Sequence, residues 1–135
     1  MTDSDWRVLE GLLSDFAWHA DRGEGDALAA LFLPDAVLVV GGQEHRGREQ
    51  IAADCYRRAS DPTRKVRHVW SNLRVVAEEG GRFRTAAVQL TFEQSSKQAG
   101  TQLRINDMHD EFARGPAGRW QFAARTIARA MALEV

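Results

Sequence analysis

After residue 64 the chain is built almost wholly of four long strand-like runs, 64–77, 82–94, 101–114 and 119–133, and few folds can accommodate that order. Three short turn clusters part them: Glu78-Glu79-Gly80-Gly81, residues 95–100, and Gly115-Pro116-Ala117-Gly118. Each is short enough to close a hairpin, so the second half predicts an antiparallel meander. The last run is rich in alanine and reads as helix by propensity alone, but its place directly after a hairpin turn favours strand.

The first half has helical periodicity. Leu9, Leu12, Leu13, Phe16 and Ala20 recur at a spacing that puts them on one face, with Asp3 and Asp5 where a helix N-terminus favours negative charge and Gly23 as the stop. Asp21 falls roughly 120° from the centre of that apolar stripe, on its flank. Residues 26–33 predict a second short helix stopped by Pro34, and residues 48–59 a third, with Ile51, Ala52, Cys55, Tyr56 and Ala59 on one face. Between them, residues 36–40 and 43–46 flank Gly41-Gly42 as a small hairpin. Helices first and strands afterwards is an α+β order. It predicts three helices packed on one face of a strongly curved, mainly antiparallel sheet.

Length and charge narrow the function. A chain of 135 residues is expected to form one domain with one core, and 44% hydrophobic with 27% charged residues is the balance of a globular protein. The formal net charge of −1 provides no field for nucleic acid or an anionic membrane, and the local group Arg57, Arg58, Arg64, Lys65 and Arg67 reads as a solvated face. The single cysteine, Cys55, excludes an intrachain disulfide and reads as core packing. An acidic start and the lack of a long apolar run point to a cytoplasmic protein.

A helix-lined curved sheet leaves a pocket at its concave face, and residues alternating inward along the strands line it. On residues 65–76, His68 shares a side with Val66, Trp70 and Asn72; on 101–114, Arg104, Asn106, Met108, Asp110 and Phe112 oppose Leu103, Ile105, Asp107, His109 and Glu111. Alternation leaves open which of those two sides is concave. Asp21 and His68 are the candidate catalytic pair: a carboxylate on one imidazole nitrogen fixes the tautomer and leaves the other nitrogen as a base. The plain alternatives are a solvated helix end for Asp21 and a satisfied core histidine for His68. Trp18, Trp70, Asn106 and His109 are candidates for the substrate pocket, whereas His45, beside Gly47, reads as exposed. No metal-ligand pattern and no phosphate-binding glycine loop is present, so no metal or cofactor is expected.

Several of these residues also carry a resemblance. Ala20-Asp21-Arg22-Gly23 before Asp26, Leu28, Leu31 and Phe32, then Pro34-Asp35-Ala36, Gly47-Arg48-Glu49, His68 with Ser71-Asn72-Leu73, Asp110-Glu111-Phe112 and Gly118-Arg119-Trp120 resemble the nuclear-transport-factor-2-like superfamily in its SnoaL-like branch. The resemblance implies a cone-shaped α+β barrel, assembled as a homodimer or homotrimer through the sheet. Within that branch the chain looks most similar to scytalone dehydratase and hexachlorocyclohexane dehydrochlorinase, in which an Asp at the end of the first helix supports a His; Asp21 and His68 stand at those positions. It implies a cofactor-independent lyase or isomerase acting on a small, apolar, cyclic molecule. The dehydratase relatives carry a tyrosine just before the aspartate, and here that residue is Ala20, leaving Asn106, His109 or Arg104 as hydrogen-bond donors in its stead. Two other readings belong to the same fold: a non-catalytic binding or assembly module, such as a dioxygenase small subunit, and an epoxide hydrolase built from Arg104 with Asp107 or Asp110.

Overall fold

The computed structural model describes residues 1–134. Helix α1 (Asp3–Arg22) is followed by α2 (Gly25–Ala29), the hairpin β1 (Phe32–Val40) and β2 (Gln43–Arg46), α3 (Gly47–Arg58), and then β3 (Lys65–Glu79), β4 (Arg82–Ser95), β5 (Gln98–Arg114) and β6 (Trp120–Glu134). The six strands form one sheet in the order β2-β1-β6-β5-β4-β3, antiparallel throughout except where β1 runs parallel to β6. The sheet curls around the helices, but β2 and β3 stay as free edges and it does not close. This is the expected α+β architecture. No helix among the described residues is long and apolar enough to cross a membrane.

Local chemistry accounts for the helix ends. Thr2 caps α1 through a reciprocal box with Asp5, and Gly23 ends it in the left-handed region at φ +66°. The next glycine has a different task. A Cβ on Gly25 would lie 2.7 Å from the Ala52 carbonyl oxygen and 2.8 Å from the Tyr56 ring, so only glycine lets α2 sit this close to α3.

The second helix is shorter than its sequence predicts. It ends at Ala29, and Phe32, Leu33 and Pro34 already belong to β1. Phe32 pairs with Phe122 across the parallel ladder, their rings 4.9 Å apart, and Pro34 lies in the irregular stretch between Phe32 and Val37 where its missing N–H breaks no ladder bond. A second correction concerns β3. Asn72 adopts φ +58° at an irregularity between Ser71 and Arg74, so alternation slips there and Leu73, not Asn72, packs against the core.

The concave face is a set of cross-strand rows that grade from apolar to polar. Phe83, Phe112 and Phe122 form one row, followed by Thr85, Asp110 and Arg125, then Ala87, Met108 and Ile127, then Gln89 with Asn106, and finally Thr91 with Arg104. The side of β5 that carries Arg104, Asn106 and Met108 is therefore the concave one. Phe16 closes over the phenylalanine end with its ring 6.1 Å from Phe32 and 6.2 Å from Phe122. Each such buried ring contributes about 1.5–3 kcal/mol, so this end is the fixed base on which the polar end is built.

Candidate active site

At the polar end the curled sheet and the helices enclose a cavity holding about 650 Å³ of space, part of it open to solvent. Its apolar wall includes Phe16, Leu28, Leu38, Val40, Ile51 and Ile127; its polar wall is His68, Gln89, Thr91, Asn106, Arg58, Arg64 and Arg104. His68 reaches it from β3, opposite Thr91, which in turn lies opposite Arg104.

Asp21 and His68 meet. Asp21 sits in the last turn of α1, and α1 packs against β3 so that its Oδ1 lies 2.6 Å from His68 Nδ1 while also accepting the His68 backbone N–H at 3.0 Å. The Asp21 side chain is 6% exposed and that of His68 14%. A carboxylate can only accept, so the contact puts the ring proton on Nδ1 and leaves the Nε2 lone pair free. Asp21 thus faces the sheet from the flank of its helix.

The four pocket candidates divide. Asn106 lines the cavity. Trp18 and Trp70 instead border a separate groove between α1 and β3, to which Ser14, Asp21, Arg22 and His68 also contribute. Trp70 Nε1 donates to Ser14 Oγ at 3.0 Å, and the half-exposed Trp18 ring lies under the Arg22 guanidinium at 3.3 Å. Trp70 shares the His68 side of β3, as alternation predicts, but packs against the core and α1 instead of entering the cavity. His109 lies on the outer face of β5, exposed and away from the cavity, because strict alternation sends it opposite to Asn106 and Met108. Among the residues considered as replacements for the missing tyrosine, Asn106 and Arg104 therefore remain.

Other residues of the cavity were hidden in the sequence. Of the basic group expected to be solvated, Arg57, Arg58, Lys65 and Arg67 are exposed, although Arg58 also borders the cavity, and Arg64 is drawn into it. Arg64 Nε donates to Glu93 Oε1 at 2.7 Å and Arg104 Nη2 to the same oxygen at 3.3 Å. Burial acts to raise the Glu93 carboxyl, but the hydrogen bonds and charges of Arg64 and Arg104 outweigh it and hold the group below the usual carboxylate range. On α3, buried Asp54 binds Arg57 and receives Arg58 Nε at 2.9 Å. His45, expected to be exposed, is buried on β2 with Nε2 3.4 Å from Asp54 Oδ1, since α3 folds back over the hairpin. Cys55 lines the cavity, yet burial and then the Asp54 charge push its thiol up, which keeps it protonated and a poor nucleophile.

Among the described residues no group of three or more His, Cys, Asp or Glu is placed to hold a metal ion. The arrangement is suited to proton transfer: a partnered imidazole, a half-apolar cavity and amide donors in the opposite wall.

Residues 5–126 match the model of the SnoaL-like domain. The chain belongs to the SnoaL-like family. Solved SnoaL-like relatives share its fold over nearly its whole length. A scytalone dehydratase-like protein from Novosphingobium aromaticivorans is 20% identical, with 98% of this chain and 88% of that one covered at a TM-score of 0.85. A hexachlorocyclohexane dehydrochlorinase of type 2 is 19% identical, with 98% and 89% covered at 0.84. An ntf2-like protein with a cystatin-like fold, also from Novosphingobium aromaticivorans, is 26% identical, with 94% and 82% covered at 0.76. No curated protein matches the SnoaL-like chain.

Proposed function

We propose that this protein is a cofactor-independent lyase or isomerase of a small cyclic molecule, with His68 as general base and Asp21 as the residue that orients it. The observation that carries the reading is the 2.6 Å contact between Asp21 Oδ1 and His68 Nδ1 at the wall of a cavity. His68 Nε2 removes a proton from a carbon next to an electron-withdrawing group, the C–H electrons form the new double bond, and the leaving group departs with its own pair. In a dehydration the imidazolium returns the proton to the departing hydroxide as water; in an isomerisation it returns it to another carbon. Gln89 and Asn106 are the donors for the oxygen on which charge develops. The likeness to a scytalone dehydratase-like protein and a hexachlorocyclohexane dehydrochlorinase adds family-level support.

The dyad contact favours this over a non-catalytic module, in which the two side chains would have faced apart or into water. It also favours it over an epoxide hydrolase, because Asp107 is exposed on the outer face and Asp110 is sealed against Arg125. The reading includes a cytoplasmic location and assembly as a homodimer or homotrimer through the sheet, where Val69, Val76, Met131 and Leu133 are exposed. The test is a screen of cyclic β-hydroxy ketones, β-halo compounds and enolisable ketones for double-bond formation or migration. On a turned-over substrate, His68→Gln lowers kcat by about 10²–10⁴-fold; full activity in that variant overturns the proposal.

A further inference from the structure

The polar wall of the cavity carries more donor capacity and more positive charge than proton transfer by His68 needs. Gln89, Thr91 and Asn106 are buried, with exposures of 3%, 2% and 8%, and all three line the cavity. Among the described residues none of their side chains has a hydrogen-bond partner in the protein. None of their polar atoms is among the sealed partnerless ones, so their polar ends open onto the cavity, where a ligand or water meets them. Three together on one wall form a built recognition surface.

Beside them the charges do not cancel. Glu93 is shared by Arg64 and Arg104, and Asp54 by Arg57 and Arg58, so each cluster keeps one cation in excess. Arg64 commits Nε and Arg104 commits Nη2 to Glu93. The terminal Nη groups of Arg64 and the Nε and Nη1 of Arg104 have no protein partner among the described residues. These side chains are only 16% and 21% exposed, so an anion there meets guanidinium donors in a sheltered site, where they act more strongly than on an open surface. Among the described residues the carboxylate lining the cavity is Asp54, already bound by Arg57 and Arg58, while Asp21 is turned toward His68.

We propose that the substrate is not a plain apolar ring but a ring bearing a carboxylate. Its anionic group is held by Arg64 and Arg104, and its ring oxygens are read by Gln89, Thr91 and Asn106. This rests on the proposed lyase or isomerase reading for the word substrate, but the recognition itself is a statement about binding. The rows of the sheet fix the geometry: Thr91 stands between His68 and Arg104 in one row, and Gln89 and Asn106 form the next row inward. A carboxylate at Arg104 therefore orients the ring with one edge toward His68 and the other toward the apolar wall.

The test is calorimetric titration of the full chain at pH 7.5 with 4-hydroxybenzoate and with the neutral 4-hydroxybenzamide. The acid is expected to bind at least about tenfold tighter, and its affinity, not that of the amide, to fall when sodium chloride is raised. Arg64→Gln and Arg104→Gln each reduce the preference to less than about threefold, with folding checked by circular dichroism. His68→Gln keeps the preference, which separates the arginines from an imidazolium as its source. Equal binding of acid and amide, binding of neither, or a preference that survives both arginine replacements overturns the inference. If an arginine variant does not fold, the wild-type acid and amide titrations with their salt response decide. Retained acid preference alongside full activity of His68→Gln would sink the catalytic reading and leave this one standing.

Discussion

Arg125 Nε lies 3.4 Å from Asp110 Oδ1 in the interior of the sheet, with the guanidinium 4.2 Å from the Phe16 ring centre and 4.9 Å from that of Phe122. Both side chains are essentially sealed from solvent, and Arg125 also meets the Met108 sulfur. Several of their polar atoms, with Thr85 Oγ1, have no hydrogen-bond partner. The pair forms the floor between the phenylalanine base and the cavity, held in place by ring faces as much as by hydrogen bonds.

Its pH response has a definite sign. Burial raises the Asp110 carboxyl to about 6, against the opposing pull of Arg125. Below about pH 4 the acid is protonated in folded and unfolded chains alike. Between there and about 6 only the folded chain holds the proton, so this group's contribution to stability falls as pH rises through that window. Urea unfolding of wild type and Asp110→Asn is expected to show the wild type losing relative stability from pH 4 to 6 and none above 7. A flat difference would mean that Asp110 titrates normally.

Single and paired replacement of the floor should differ in outcome. Arg125→Met at pH 7.5 removes the cation that opposes the burial of Asp110 and is expected to cost about 3–5 kcal/mol. Asp110→Leu with Arg125→Met removes both charges and is expected to be near neutral or stabilising. Denaturant midpoints at constant slope check both.

Asp21 has a structural task separable from any chemistry. Asp21→Ala removes the acceptor of the buried His68 backbone N–H and is expected to cost about 1–3 kcal/mol. Asp21→Asn keeps a carbonyl acceptor, so it should cost less than half as much while disturbing the His68 tautomer, read from the imidazole nitrogen shifts by nuclear magnetic resonance. Equal stability loss in the two variants would contradict the backbone bond.

Gly25→Ala puts a methyl group against the Ala52 carbonyl, a backbone atom with no flexible side chain to yield. It is expected to destabilise by about 1–3 kcal/mol, whereas Gly11→Ala, with open space around it, should be neutral or slightly stabilising. Paired thermal melts distinguish them.

The sequence revealed most where patterns are local. Periodicity of Leu9, Leu13 and Phe16 defined α1, the glycine pairs marked the hairpins, and their order implied the α+β layers. Asp21 and His68 were singled out as a pair from their chemistry and the family resemblance, and the structure brings them together. What the residues did not reveal depends on partners distant in sequence. Phe32 becomes strand because of Phe122, His45 is buried by Asp54 folding back from α3, and Asn72 leaves the His68 side through one irregular turn of backbone. Arg64 looks like any solvated cation until Glu93 draws it inward. Trp18 and Trp70 show the converse, since a large ring signals contact without saying which hollow of the fold it borders.

The parallel pairing of β1 with β6 governs when the molecule can exist at all. β6 lies at the centre of the sheet, between β1 and β5, although it is made last among the strands. A chain still emerging from the ribosome can complete its helices, the β1–β2 hairpin and the β3–β5 meander, but Phe32 and Leu38 lack their β6 partners until Phe122 and Arg125 have been synthesised. Until then β1 lacks its parallel partner, so completion of the core waits on the pairing of most distant sequence separation in the sheet.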